Sequence, residues 1–171
     1  ASVPETTVLS GTMSVIVKSV ADAEALVGQE IGVSDWIEVD QARIDLFAQA
    51  TDDHQWIHVD TERASRELPI GSTIAHGYLL VSLMPALIDN FVSFEGVERV
   101  INYGLNKVRF KNMVPSGSRV RLRSKLVSAR RRAGALQAIL ENRIEIEGQS
   151  KPACVAESIA MYFFAEDSSG A

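Results

Sequence analysis

Hydrophobic and polar positions divide the chain into a first half with helical spacing and a second half that alternates. Ile44, Phe47, Ala48 and Thr51 recur on one face of a helix expected over 41–51, with Asp40 placed to cap its start. Short helices are expected over 21–29 and 61–68, the latter ended by Pro69 and Gly71, and a short strand over 34–39, where Ile37 and Val39 flank Glu38. The stretch His76–Phe91 (HGYLLVSLMPALIDNF) is apolar nearly all round, which predicts a helix buried on most sides, kinked locally at Pro85. From Val100 onward the period changes to two, with strands expected over 100–110, 119–128, 135–147 and 153–165. Arg119, Arg121 and Arg123 alternate with Val120 and Leu122, and Arg143, Glu145 and Glu147 alternate with Ile144 and Ile146. Gly134, after three arginines, predicts a tight turn between two long antiparallel strands. A long buried helix followed by antiparallel strands predicts an α+β packing in which a sheet covers the helix.

Composition narrows the functional classes. With 171 residues, 46% of them hydrophobic, the chain suits a single domain with a sizeable core. Residues 1–12 are rich in Ser and Thr and lack periodicity, so they are expected to be a disordered or added leader before one domain over 13–171. A net charge of -5 argues against nucleic-acid binding, which depends on many cations neutralising phosphates. Two local basic clusters could still meet a small anion: Arg130, Arg131 and Arg132, read first as a solvated hairpin end, and Lys107, Arg109 and Lys111, which alternation would put on one strand face. Cys154 is the only cysteine, which excludes an intramolecular disulfide and a cysteine metal cage, and a cytoplasmic setting is expected. Gly77, Pro85, Asp89 and Asn90 interrupt the apolar run of 74–91, so no membrane span is expected.

Phe47–Asp60 reads FAQATDDHQWIHVD, with Asp53 followed five residues later by His58. This resembles the hydratase signature of MaoC-like enzymes, and IAHGYLLVSL at 74–83 resembles the family's second block, the start of the central helix with its His-Gly pair. DHQWIH, INYGLNKVRF at 101–110 and KPACVAES at 151–158 are similar to nodulation protein N-like members. An Asp with a His five residues on is common by chance; the blocks in order, over about 13–164, carry the signal. The resemblance implies a hot-dog fold, an antiparallel sheet wrapped around a long central helix. It also implies an (R)-specific enoyl-CoA hydratase that adds water to a trans-2-enoyl-CoA without metal or organic cofactor. Where such hydratases commonly have Asn-Pro, this chain has Gln55 and Trp56, which alters the expected shape of the acyl pocket.

Hydration of an enoyl thioester needs water deprotonated for attack at C3, a proton delivered to C2, and an oxyanion stabilised. The resemblance assigns the proton chemistry to Asp53 and His58, with the division between acid and base left open. The backbone N–H of Gly77, at the start of the buried helix, is the expected oxyanion donor, its missing side chain allowing close approach. Gln55, Trp56, His76 and Tyr78 are the expected substrate contacts, Leu79, Leu80 and Leu83 the expected tunnel wall, and Lys107 and Arg109 candidates for the CoA phosphates. His76 is read equally as a buried histidine bonded to a backbone carbonyl. Four competing readings remain. His54 and His58 have the spacing of a zinc-binding helix, but Gln55 stands where HExxH needs its glutamate. Ser82 lacks both a matching base and a Gly-x-Ser-x-Gly turn. A hot-dog thioesterase, or a binding protein without turnover, would use the same pocket. A sheet rich in strands would expose an edge, so a homodimer is expected.

Overall fold

A computed structural model describes residues 6–9 and 12–165. In chain order its elements are β1 (Thr6–Leu9), β2 (Thr12–Val17), α1 (Val20–Ala25), β3 (Glu30–Val33), β4 (Ile37–Val39), α2 (Gln41–Thr51), α3 (Trp56–Val59), α4 (Thr61–Glu67), α5 (Gly77–Ile88), β5 (Val92–Phe94), β6 (Val97–Phe110), β7 (Ser118–Arg132), β8 (Ala135–Ile146) and β9 (Cys154–Phe164). The main sheet runs β3-β7-β8-β9-β6, with β4 continuing along the edge of β7 that β3 occupies. Ser34 joins the two short strands, its N–H donating to Leu122 O (2.8 Å) and its Oγ accepting from Leu122 N (2.9 Å). A second sheet of β1, β2 and β5 lies to one side. Of the expected leader over 1–12, residues 1–5, 10 and 11 lie outside the described residues, and Thr6–Leu9 pairs antiparallel with β2.

Alternation sorts the main sheet into two faces. Val120, Leu122, Leu140, Ile144 and Ile146 are almost wholly buried and share one core cluster with α5, whose Leu80, Met84 and Leu87 are exposed by 2% or less. Burying each such side chain contributes roughly 1.5–3 kcal/mol, so the seam between helix and sheet dominates the core. The outward residues pair across strands, Arg121 with Glu145 (2.7 Å), Arg123 with Glu145 (2.8 Å) and Arg119 with Glu147 (2.9 Å). This is the hot-dog architecture, with the helix held in the curve of the sheet.

Most predicted elements stand close to their expected bounds, and the departures have local causes. Asp40 caps α2 by accepting from Arg43 N at 2.9 Å. Ala133 and Gly134 both have positive φ (49° and 76°), the two-residue turn that matches strand twist, and Arg132 pairs directly with Ala135. The helix expected over 76–91 is shorter: His76 is its N-cap, and the exposed pair Asp89 and Asn90 turns the chain so that Phe91 enters the core outside the helix. β3 and β5, at four and three residues, are too short for period-two alternation to register. In β6 the alternation expected over 100–110 buries no face, because nearly every side chain there is exposed. Among the described residues no helix is long and apolar enough to cross a membrane.

Candidate active site at the start of the central helix

The site is built where three short segments meet. Asp52 ends α2 in the left-handed region (φ 57°), which turns the chain sharply and brings Asp53 into an exposed loop before α3. Helix α3 then carries His58 inward, leaving it 7% exposed. The segment before α5 is tied to α3 by Ile74 N, which donates to Ile57 O at 3.0 Å.

His58 has a defined tautomer. Its Nδ1 lies 2.7 Å from the carbonyl oxygen of Ile74, and a carbonyl can only accept, so Nδ1 carries the proton and Nε2 presents a lone pair. Burial lowers the pKa of His58 below its ordinary 6.5, and the neighbouring His76 adds to the shift, opposed by the Ile74 hydrogen bond and by Asp53. His58 is therefore held as a neutral base near neutral pH.

His76, 2% exposed, donates from Nε2 to the backbone carbonyl of Asp53 at 3.0 Å, which ties the Asp53 loop to the start of α5. Its ring stacks on His58 at 3.8 Å with 24° between the planes, and Phe47 packs on it at 5.1 Å. A carboxylate oxygen of Asp53 and one ring nitrogen from each histidine lie within 4.8 Å of one another. The three are composed like a metal site, yet the ring geometry opposes one. Metal ligation needs each imidazole lone pair, which lies in the ring plane, to point at one ion, and two face-stacked rings direct theirs side by side. The alternative pair His54 and His58 does not share a helix, because α3 begins only at Trp56.

Gly77 opens α5, where helix geometry leaves the first amides without an intrahelical acceptor, and the N-cap His76 makes no side-chain cap. The glycine is needed for a reason the sequence did not reveal: a Cβ there would meet three ring carbons of Phe110 at 2.8 Å. Phe110 ends β6, so the far end of that strand reaches the site. Tyr78 is 71% exposed and meets Phe110 edge-on at 5.9 Å.

The remaining expected contacts are more dispersed. Gln55 is exposed at the N-cap position of α3, and Trp56 stacks under the Arg63 guanidinium at 4.1 Å. The expected tunnel wall requires correction: Leu79 and Leu80 are buried in the core, and Leu83 packs against it. A groove of about 1000 Å³ instead follows another face of α5, through Val81, Ser82, Pro85 and Ile88, with Tyr103 and Leu105 of β6 opposite. Ser82 lines it with its Oγ donating back to Tyr78 O at 2.8 Å. The shared face expected for Lys107, Arg109 and Lys111 is also lost. β6 shifts register between Asn106 and Arg109, and Lys107 takes φ 51°, so alternation breaks there. Lys107 pairs with Glu157 at 2.9 Å, and Arg109 donates to the carbonyl of Val108 at 2.7 Å.

Residues 22–146 match the model of the MaoC like domain family. The chain is 51% identical over 146 residues to 3-hydroxyacyl-thioester dehydratase Z of Mycobacterium tuberculosis, covering 85% of this chain and 96% of that protein. It is 46% identical over 153 residues to Nodulation protein N of Rhizobium leguminosarum bv. viciae, covering 85% and 92%. Among solved structures, the unliganded R-hydratase PhaJ1 of Pseudomonas aeruginosa superposes with a TM-score of 0.65 at 21% identity, over 81% of this chain and 83% of that one.

Proposed function

The chain belongs to the MaoC-like domain family and is a hydro-lyase of the hydratase and dehydratase type, and from that premise we propose that it hydrates trans-2-enoyl-CoA thioesters reversibly to (R)-3-hydroxyacyl-CoA, with Asp53 and His58 acting on one water. The observation that carries the residue assignment is the state of His58: neutral, its Nδ1–H tied to Ile74 O, its Nε2 free to accept a proton, and Asp53 close by. A separation within 4.8 Å is one that a single water bridges with two hydrogen bonds of about 2.8 Å.

In this reading Asp53 orients the water by accepting one of its hydrogens, and His58 Nε2 takes the other as the oxygen bonds to C3. The proton gained by His58 passes to C2, so the hydroxyl and hydrogen of one water end on adjacent carbons. The uncapped amide of Gly77 faces the thioester oxygen and holds the negative charge that develops there. The groove along α5 begins one turn beyond Gly77 and suits the acyl chain. Arg109, next to Phe110, remains a candidate for the CoA phosphates, whereas Lys107 is committed to Glu157. We also propose a homodimer through β6: among the described residues only β9 pairs with it, and Val100, Ile101, Tyr103 and Leu105 are 46–58% exposed on it.

The test follows the enoyl absorbance band with crotonyl-CoA and longer trans-2-enoyl-CoAs, with a thiol reagent in parallel. Wild type consumes the band without thiol release, and Asp53→Asn and His58→Ala each lower kcat by about 10²-fold or more. Thiol release would make the enzyme a thioesterase, and undiminished activity in either variant would remove that residue from the mechanism.

A further inference from the structure

We propose that Gln41, the first residue of α2, is a positioning residue that holds the His58 ring in line for proton transfer. The proposal rests on the reading of His58 as proton acceptor given above.

A four-residue helix cannot set its own orientation, since helix formation becomes favourable only over many turns, so α3 must be held from outside. Its carbonyls show how. Gln55 O accepts from His58 N (2.9 Å), Trp56 O from Asp60 N (3.0 Å) and Ile57 O from Ile74 N (3.0 Å). The carbonyl of His58 itself accepts from the side chain of Gln41, Nε2 to O at 2.8 Å. The same Nε2 donates its second hydrogen to Asp45 Oδ1 at 2.8 Å, one turn along α2. Both partners of this nitrogen can only accept, which fixes the amide orientation and turns Oε1 toward Thr73, whose hydroxyl donates to it. Thr73 is 2% exposed and directly precedes Ile74, the residue whose carbonyl holds His58 Nδ1–H.

Gln41 thus grips both sides of the His58–Ile74 hydrogen bond, the backbone of the donor residue and the neighbour of the acceptor. Its own position is firm, because the Asp40 cap fixes the first turn of α2. Without the amide, His58 O and the Thr73 hydroxyl lose their shared partner, α3 is free to tilt, and the Nε2 lone pair leaves its line. The charged or titratable groups facing His58 are Asp53 and His76, with Asp45 behind Gln41, and none of them replaces the lost tether.

The experiment compares Gln41→Ala, Thr73→Val and Thr73→Ser with wild type, using Ser124→Ala as a control that breaks a buried hydrogen bond to Asn142 in the sheet, far along the chain from His58. Imidazole nitrogen NMR reads the His58 tautomer, and enoyl-CoA hydration reads kcat and KM. Wild type shows a single Nδ1–H form. Gln41→Ala and Thr73→Val introduce the Nε2–H form and lower kcat by about tenfold or more with KM little changed, a loss in keeping with the cost of sub-ångström misalignment. Thr73→Ser keeps the hydroxyl and keeps both readouts near wild type.

An unchanged tautomer in both Gln41→Ala and Thr73→Val overturns the proposal, and so does an equal change in Ser124→Ala. If Gln41→Ala fails to fold, Thr73→Val decides alone. Should wild type lack hydratase activity, that reading of the reaction fails while the tautomer measurement still decides the role of Gln41.

Discussion

Gly77→Ala separates two reasons for a glycine at the start of α5. The added methyl would stand 2.8 Å from three ring carbons of Phe110, against a comfortable carbon contact of about 3.5–4.0 Å, so the ring must retreat by about 1 Å. Phe110 is 47% exposed and can swing outward, at about 0.5–1.5 kcal/mol if it leaves its preferred rotamer. Alanine recovers up to about 1 kcal/mol of helix preference over glycine. The two nearly cancel, and the stability of Gly77→Ala by urea unfolding should fall within about 1 kcal/mol of wild type. Activity should not be spared if the proposed assignment of the Gly77 amide to the oxyanion holds, because a methyl beside that amide crowds the thioester oxygen, and a displacement of about 1 Å costs about 10²-fold in kcat. In a Phe110→Ala background Gly77→Ala becomes neutral or stabilising, since the ring is gone, while the loss in kcat persists. A stability loss above about 3 kcal/mol for Gly77→Ala, of the size seen for core disruption, would refute the packing argument. Recovery of kcat in the double variant would refute the role given to the Gly77 amide.

Two further outcomes follow from the site and the edge strand. His58 titrates below 6.5 in the folded chain, so the unfolded chain takes up its proton first as pH falls; the contribution to stability is complete above pH 6.5 and is lost as pH drops through the folded pKa. The acid limb of kcat/KM, recorded with enoyl-CoA, should accordingly have its midpoint below 6.5 and coincide with the NMR titration of His58; a midpoint above 6.5 would contradict the burial argument. Leu105→Arg places a charge on the exposed edge strand, and sedimentation should show a dimeric wild type and a variant shifted to the 18.6 kDa monomer. A monomeric wild type would remove the dimer proposal.

Much of the fold was legible because alternation and helical spacing are local signals. Residues 119–123 of β7 and 143–146 of β8 alternate charged and branched apolar side chains, so those faces were readable before their partners were known. The same local logic failed in β6, where apolar residues point to both sides. That pattern reflects what covers the strand, and the covering surface is not encoded within the strand. The tunnel wall failed for a related reason. Helix α5 is apolar all round, so its sequence could not say which face meets the sheet and which the groove.

The candidate site divides in the same way. Sequence by itself determined the family and singled out Asp53, His58 and Gly77 as the candidates, because those residues sit in short blocks in a set order. Only the tertiary structure decided the protonation geometry. The acceptor for His58 Nδ1–H is a backbone carbonyl at Ile74, and any residue type could supply it. His76 meets the carbonyl of Asp53, Gln41 meets the carbonyl of His58, and Phe110 fills the space left by the side chain Gly77 lacks. Backbone carbonyls and empty space leave no mark on residue identity, so these contacts become visible only when distant segments of the chain are brought together.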